Sequence, residues 1–572
     1  KDNFMKKIFH VLFFFSLIVN CIFSQRVSAQ ESLVHLPIGM NLAGIADWQP
    51  GYPFKNLMWG ARPWLTKNAD GTGPFDTHFS EKIPLDDDGY PLEIPYRLDG
   101  TEKAQIVFTI IPNRVEPGKY VVLYDGEGEI AGAMGTEVIE SRPGRVVLNL
   151  ICDKKNRYEG ISILRSQKGN HIRNIRILRD TDENANLEEN PFREDFLNYC
   201  KQWKALRFMD WATTNNSFEK EWKNRKKTTF YTMVGKGGDA IGMWGPPPSD
   251  FDLRFSGGVA IEIMIKLANM VKVSPWFCMP HRATEEYMRE FAKLVKNTLD
   301  PSLKIYIEYS NEVWNWSFQQ SHWMLNCKIA AEPLSNEKRN GWKNGIIPTE
   351  FPLDNGQVAR EGGADHPERI AVLNRRCFKC WEDVFQGEDM KRIVRVIGVQ
   401  HSWADASRRT AKWVVNNGGA DAISPAAYFG PDKEIYKRWR EAGKNLTADQ
   451  VIADMNEAFE KNSKKWTLEI AKIAKDFNLK YIVYEGGQHI QPEGQKETDY
   501  MPALKAAQYH PGMYNIYMKN FALHNEIGCE LFMAFSSIGE QGTRWGSWGH
   551  QEYYGQPASE MPKYKALLDV NK

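Results

Sequence analysis

From residue 190 onward, short apolar runs alternate with longer segments whose apolar residues recur at helical spacing. The runs lie at 205–211 (ALRFMDW), 274–280 (SPWFCMP), 303–309 (LKIYIEY), 392–400 (RIVRVIGVQ), 421–429 (DAISPAAYF), 480–487 (KYIVYEGG) and 529–537 (CELFMAFSS). Between them lie helix-like segments such as GGVAIEIMIKLANMVK, TEEYMREFAKLVKNTL, HPERIAVLNRRCFKCWEDVFQ and WTLEIAKIAKDFN. Strands with little polar alternation, each followed by a helix, predict a parallel sheet buried on both faces. Seven strands fall one short of a closed barrel, and LPIGMNLAG at 36–44 supplies the eighth. The prediction is an α/β protein, a (β/α)8 barrel over 190–572 whose first strand and active-site loop come from 30–79.

The texture changes over 80–182. AQIVFTIIP, GKYVVLYDGEGEI, RVVLNLI, GISILRS and IRNIRIL are short strands punctuated by DG, PG and KG turn signals. That predicts an antiparallel, sandwich-like domain, inserted after the first barrel strand or accessory to the barrel. RDTDENANLEENPF (179–192) reads as the polar connector back to the barrel. A second long segment, 332–366, has no clear period and falls after the fourth strand, on the face where such barrels build their sites.

The N-terminus has its own pattern. MKKIFHVLFFFSLIVNCIFSQRVSAQES has two lysines, an apolar run and a small-residue VSA, the three parts of a secretory signal peptide ending near Ala29, with a natural start at Met5. A lipoprotein anchor at Cys21 is the weaker reading, because Asn20 is a poor residue to precede it. The expected location is therefore secreted, periplasmic or cell-surface, and the expected source bacterial. No later stretch is long and apolar enough to span a bilayer.

Composition adds little except aromatics. The 572 residues carry 73 basic and 72 acidic side chains, a balance that argues against a general nucleic-acid or anionic-membrane binder. Nineteen Trp, 22 Tyr and 29 Phe exceed what a core needs by enough to favour a carbohydrate ligand. The cysteines are scattered and odd in number once Cys21 is set aside, so they form no disulfide framework. Cys377 and Cys380 make a CxxC within a helical segment but lack a second ligand pair, and the histidines show no HExxH; no metal or other cofactor is expected.

Barrel sites are built from the C-terminal ends of the strands. Those ends offer Arg207 and Asp210, then His281, then Asn311 and Glu312, then Gln400, His401 and Trp403, then Tyr428, then Glu485, and after the eighth strand Trp545 and Trp548. Two carboxylates three strands apart suit glycosidic bond cleavage, in which one acid protonates the leaving oxygen and the other attacks or activates water. Arg207 would keep a nearby nucleophilic carboxylate ionised, Asn311 would bond a sugar hydroxyl, and the glycines after Glu485 would leave it backbone freedom. Each residue also has a plainer reading. SNEVWNW can be a helix N-terminus capped by Ser310 or Asn311. Arg207 can pair with Asp210, Tyr428 can be core, and His281 and His401 can line the pocket as hydrogen bonders. Trp48, Trp64, Trp244, Trp314 and Trp316 are stacking candidates whose default role is packing.

An Asn-Glu pair ending the fourth strand and a lone Glu ending the seventh resemble glycoside hydrolase clan A, the retaining (β/α)8-barrel glycosidases. The resemblance implies Glu312 as acid/base, Glu485 as nucleophile, Asn311, Arg207 and Tyr428 as their supporting residues, and a polysaccharide or oligosaccharide as the partner. The run GMNLAGIADW, EYSNEVWN, YEGGQH further resembles bacterial secreted proteins described as glycosidases or cellulose-binding proteins. One departure is plain: the clan places a Trp on the eighth strand, where FMAFSS has Phe532 and Phe535, so Trp545 or Trp548 is expected to serve. The alternatives are a non-catalytic carbohydrate-binding protein on the same scaffold, or another barrel hydrolase such as an esterase, for which no GxSxG elbow is present.

Overall fold

The computed structural model describes residues 34–100, 103–112, 114–152, 158–236, 251–327 and 365–572. The segment read as a signal peptide, Cys21, Trp244 and nearly all of the 332–366 segment lie outside them.

Eight parallel strands close on themselves: β1 (Ile38–Asn41), β2 (Ala205–Arg207), β3 (Ser274–Met279), β4 (Ile305–Tyr309), β5 (Ile393–Val399), β6 (Ala422–Phe429), β7 (Val483–Gln488) and β8 (Phe532–Ala534). Neighbours run in sequence order, β1 also pairs with β8, and the β5–β6 pairing completes the ring. The strands are apolar on both faces because both are buried. Inside, Ala205, Met209, Trp276, Val396, Tyr484 and Met533 fill the barrel, while residues facing outward pack under the helices. All four predicted helices form, over Ile261–Val271, Glu285–Thr298, His366–Val384 and Lys464–Asp476. The barrel is thereby a packed core open to chemistry only at its ends.

The β-rich segment leaves from β1 and returns to the helix Glu194–Cys200, so it is inserted where the first βα loop would be. It forms two four-stranded antiparallel sheets. One runs in the order 65–68, 105–110, 160–166, 128–133; the other in the order 137–142, 145–150, 118–125, 173–179. Two of these strands are not legible as periodic runs. Leu65–Asn68 lies before residue 80, within the stretch expected to serve β1, and Glu137–Arg142 is exposed at every position, so no apolar alternation marks it. Val107, Ile130, Val146, Leu148, Ile163 and Ile177 join the same apolar cluster as the outer layer of the barrel.

Candidate active site

Arg207, at the end of β2, is the hub. Its guanidinium is wholly buried, and all five of its N–H groups are used. Nε and Nη2 donate to Glu308 Oε2 at 3.0 and 2.9 Å. Nη2 also donates to Asn311 Oδ1 at 2.8 Å, and Nη1 donates to Asn41 Oδ1 at 2.9 Å and to Glu485 Oε1 at 2.7 Å. The simple Arg207–Asp210 pair is therefore not formed. Asn41 in turn donates to the carbonyls of Tyr484 and Ala534, tying β1 to β7 and β8 beneath the site.

Glu485 receives a second bond, from the Tyr428 hydroxyl to Oε2 at 2.9 Å. Its neighbour Tyr484 lies under the Arg207 guanidinium, 5.0 Å from ring centroid to Cζ. Two consecutive strand residues normally face opposite ways. Here the register between β7 and β8 shifts between Val483 and Gly486, and that irregularity brings both side chains to Arg207. The glycines that follow do not confer freedom. Every residue from Val483 to Gln488 is buried, and a Cβ on Gly486 would lie 2.4 Å from the Phe532 ring. Gly487, at φ +135°, sits against the Tyr517 hydroxyl. Close packing, not mobility, requires them.

Glu312 is reached by an abrupt backbone turn in which Ser310 and Glu312 both have positive φ, 57° and 42°. No helix begins there; the next starts at Gln319, so the capping reading fails. Positive φ at residues other than glycine is held against its cost by surroundings, here aiming the carboxyl back over the barrel. Asn315 Nδ2 donates to Glu312 Oε2 at 2.7 Å, and the Tyr484 hydroxyl lies 3.4 Å from Oε1.

The two carboxyls are electrostatically unequal. Burial pushes Glu312 up to about 8, helped by the negative charge of Glu485 and opposed by Asn315 and the more remote Arg207. Burial also raises Glu485, but the charge and hydrogen bond of Arg207 and the bond from Tyr428 pull against it. Arg207 and Tyr428 thus favour the charged form of Glu485, and burial beside Glu485 favours the protonated form of Glu312. Asp210, a third carboxyl beside Glu485, is pushed up to about 7, first by burial and then by Glu485.

The other expected site residues divide. Trp548 belongs with the pair: its ring stands edge-on to Tyr428 and Phe535, both at 5.7 Å. The loop carrying it is pinned by Gln488 and by buried Lys563, which both donate to the Ser547 carbonyl. Trp545 points outward, 55% exposed, with Arg544 over its ring. Trp314 is half-buried and packs against both apolar clusters. Asn311 has both ends occupied, accepting from Arg207 and donating to Asn215. His281 is fully enclosed against Trp323, and its ring nitrogens have no hydrogen-bond partner among the described residues. His401 turns away to Thr467 Oγ1 at 2.9 Å and packs against Trp466. Burial keeps both imidazoles neutral, His281 well below its ordinary value and His401 down to about 3. Trp64 is core, stacked on Tyr231.

Asn41, Glu308, Asn315 and Tyr484 were not among the expected residues. Glu308 had one visible signal, a carboxylate in the middle of a buried strand, where it needs a cation. Cys377 and Cys380 are buried in one helix, and among the described residues no group of three or more His, Cys, Asp or Glu is placed to hold a metal ion. No described helix is long and apolar enough to cross a membrane.

No protein-family model matches the chain, and no curated protein matches it. Among solved structures, it is similar to the GH51 arabinofuranosidase from Xanthomonas axonopodis pv. citri, at 12% identity and TM-score 0.36, over 66% of each chain. It is similar to the GH5-4 broad specificity endoglucanase from Clostridium acetobutylicum at 9% identity and TM-score 0.33, over 66% of this chain and 89% of that one. The β-glycosidase from Thermosphaera aggregans matches at 9% identity and TM-score 0.33, over 67% of this chain and 85% of that one. Likenesses this remote decide nothing about chemistry; the barrel stands on its own strand order. Eight parallel strands in sequence order, closed over a buried arginine-centred network, make the chain a (β/α)8-barrel protein with an inserted antiparallel β domain.

Proposed function

We propose that this protein is a secreted retaining glycoside hydrolase that cleaves a β-linked polysaccharide or oligosaccharide. Glu485 attacks the anomeric carbon while Glu312 protonates the leaving oxygen; Glu312 then takes a proton from water as that water releases the sugar with retained configuration. The observation that carries this reading is the asymmetry of the pair. Glu485 is held by a cation and a phenol, and Glu312 is pushed up to about 8 beside it. One carboxyl kept charged and its partner kept protonated is the arrangement double displacement needs. The mechanism requires the carboxyls to stand about 5–5.5 Å apart when substrate is bound.

The test is reducing-sugar release from a broad panel of plant and microbial glycans by wild type, Glu485→Gln and Glu312→Gln. Hydrolysis by wild type that collapses in both variants supports the assignment and identifies the substrate. Hydrolysis that survives both substitutions refutes the assignment. Silence from all three with glycan binding retained would favour the non-catalytic carbohydrate-binding reading.

A further inference from the structure

The β1 loop that leaves the site directly after Asn41 carries Asp47 and Trp48. Its start is anchored, with Ala43 N donating to Ser537 Oγ at 2.9 Å and the Ala43 carbonyl accepting from Trp211 Nε1 at 3.1 Å. Asp47 is buried and grips Arg62 through two parallel bonds, Nε to Oδ1 at 3.1 Å and Nη2 to Oδ2 at 2.8 Å. The Arg62 main chain is in turn held by the inserted domain: its N–H donates to Ile110 O and its carbonyl accepts from Thr109 Oγ1. The guanidinium is flanked by two rings, Trp48 at 5.6 Å and Tyr158 of the inserted domain at 5.8 Å. Those rings are 59% and 56% exposed. Arg62 Nη1 has no protein partner among the described residues.

This cluster gains the fold little. A buried carboxylate fixes a cation between two large aromatic rings that stay in water. We propose that Trp48, Arg62 and Tyr158 form a second carbohydrate-binding site, shared between the barrel loop and the inserted domain, for one neutral sugar residue of a polysaccharide chain. The rings offer apolar faces for the C–H side of a pyranose, and Nη1 offers a donor for a hydroxyl oxygen. Asp47 already balances the charge of Arg62, so an acidic sugar gains no ion pair there, and the neutral ring is the ligand class that fits. The inserted domain then has a binding role and is more than a brace. The inference rests on the glycosidase reading for its place beside an active site, but its test does not need hydrolysis.

Native gels cast with barley mixed-linkage β-glucan, xylan or galactomannan measure retention of the full chain. Glu485→Gln is the background, so that no gel polymer is digested. We expect Trp48→Ala and Tyr158→Ala, each made in that background, to weaken retention in the retarding gel by about 3- to 10-fold, the range one aromatic face contact is worth. In otherwise wild-type protein the same two substitutions should leave kcat/KM on a p-nitrophenyl monosaccharide within twofold while lowering it on the polymer. Unchanged retention in both variants overturns the site, as does an equal loss on short and long substrates. Retention that depends on Trp48 in a protein without hydrolysis would keep this site and refute the glycosidase reading. Absence of retention in every gel overturns the site.

Discussion

Arg207 donates to Glu485 at 2.7 Å between side chains only 0% and 6% exposed. In that setting the interaction is little screened by water, so the state of Glu485 is set from beneath by β2 and β4. Glu308 accepts the other edge of the same guanidinium. The cation is shared between Glu308, enclosed within the barrel, and Glu485 at its C-terminal end.

Removing that cation leaves two buried carboxylates without compensation. Arg207→Met is expected to destabilise the fold by about 3–5 kcal/mol, the cost of breaking one side of a buried ion pair. Chemical denaturation measures it, and a loss under 1 kcal/mol would show that the network is not what holds the barrel end together.

Glu312 must be protonated to act as an acid, so turnover is expected to fall as pH rises through about 8. The pH profile of kcat/KM should place its basic limb there. A basic limb below pH 6 would mean that another group supplies the proton.

The same raised carboxyl has a stability consequence. Glu312 holds its proton in the folded state up to about 8 but loses it near its ordinary 4.5 when unfolded. The folded state therefore binds more protons between those values, and stability declines as pH rises through that window. Glu312→Gln removes this liability. Its Tm should exceed that of wild type at pH 8, and the gap should close toward pH 4.5. A gap that widens on acidification would reverse the sign of the shift.

Tyr428→Phe deletes the hydrogen bond to Glu485 Oε2 and leaves the ring packing of Trp548 and Phe535 in place. A bond to a charged acceptor is worth about 1.5–3 kcal/mol, so kcat/KM is expected to drop by roughly 10- to 100-fold. The acidic limb of the profile should move upward, because the carboxylate loses a donor that favours its charged form. A drop without any shift of that limb would mean that the hydroxyl acts on something other than the charge of Glu485.

Trp48 is the barrel-side ring of the proposed second site. Its removal should leave Tm within about 1 °C of wild type, since surface substitutions are usually worth under 0.5 kcal/mol. A large fall in Tm would mean the ring braces the domain junction.

The eight barrel strands and the two glutamates were legible in the sequence because burial on both faces leaves an apolar run, and because a carboxylate at the end of such a run stands out. The edge strands at 65–68 and 137–142 were not, since exposed or half-exposed positions carry no period. Neither was the role of Glu308, whose partner lies 101 residues away. His401 sits at a strand end like its neighbours in the expected site, yet its ring follows the helix behind the barrel. Position along a strand determines which residues are eligible. Rotamer, register shift and backbone turn decide which of them meet. The sequence alone determined the barrel, the inserted β domain and the candidate pair, through periodicity and the chemistry of single residues. Only the tertiary structure decided that Arg207 serves Glu308 and Glu485 at once and that Asn315, not Arg207, bonds Glu312. Those outcomes depend on distances of a few ångströms in a medium that screens poorly, and no linear pattern encodes such distances.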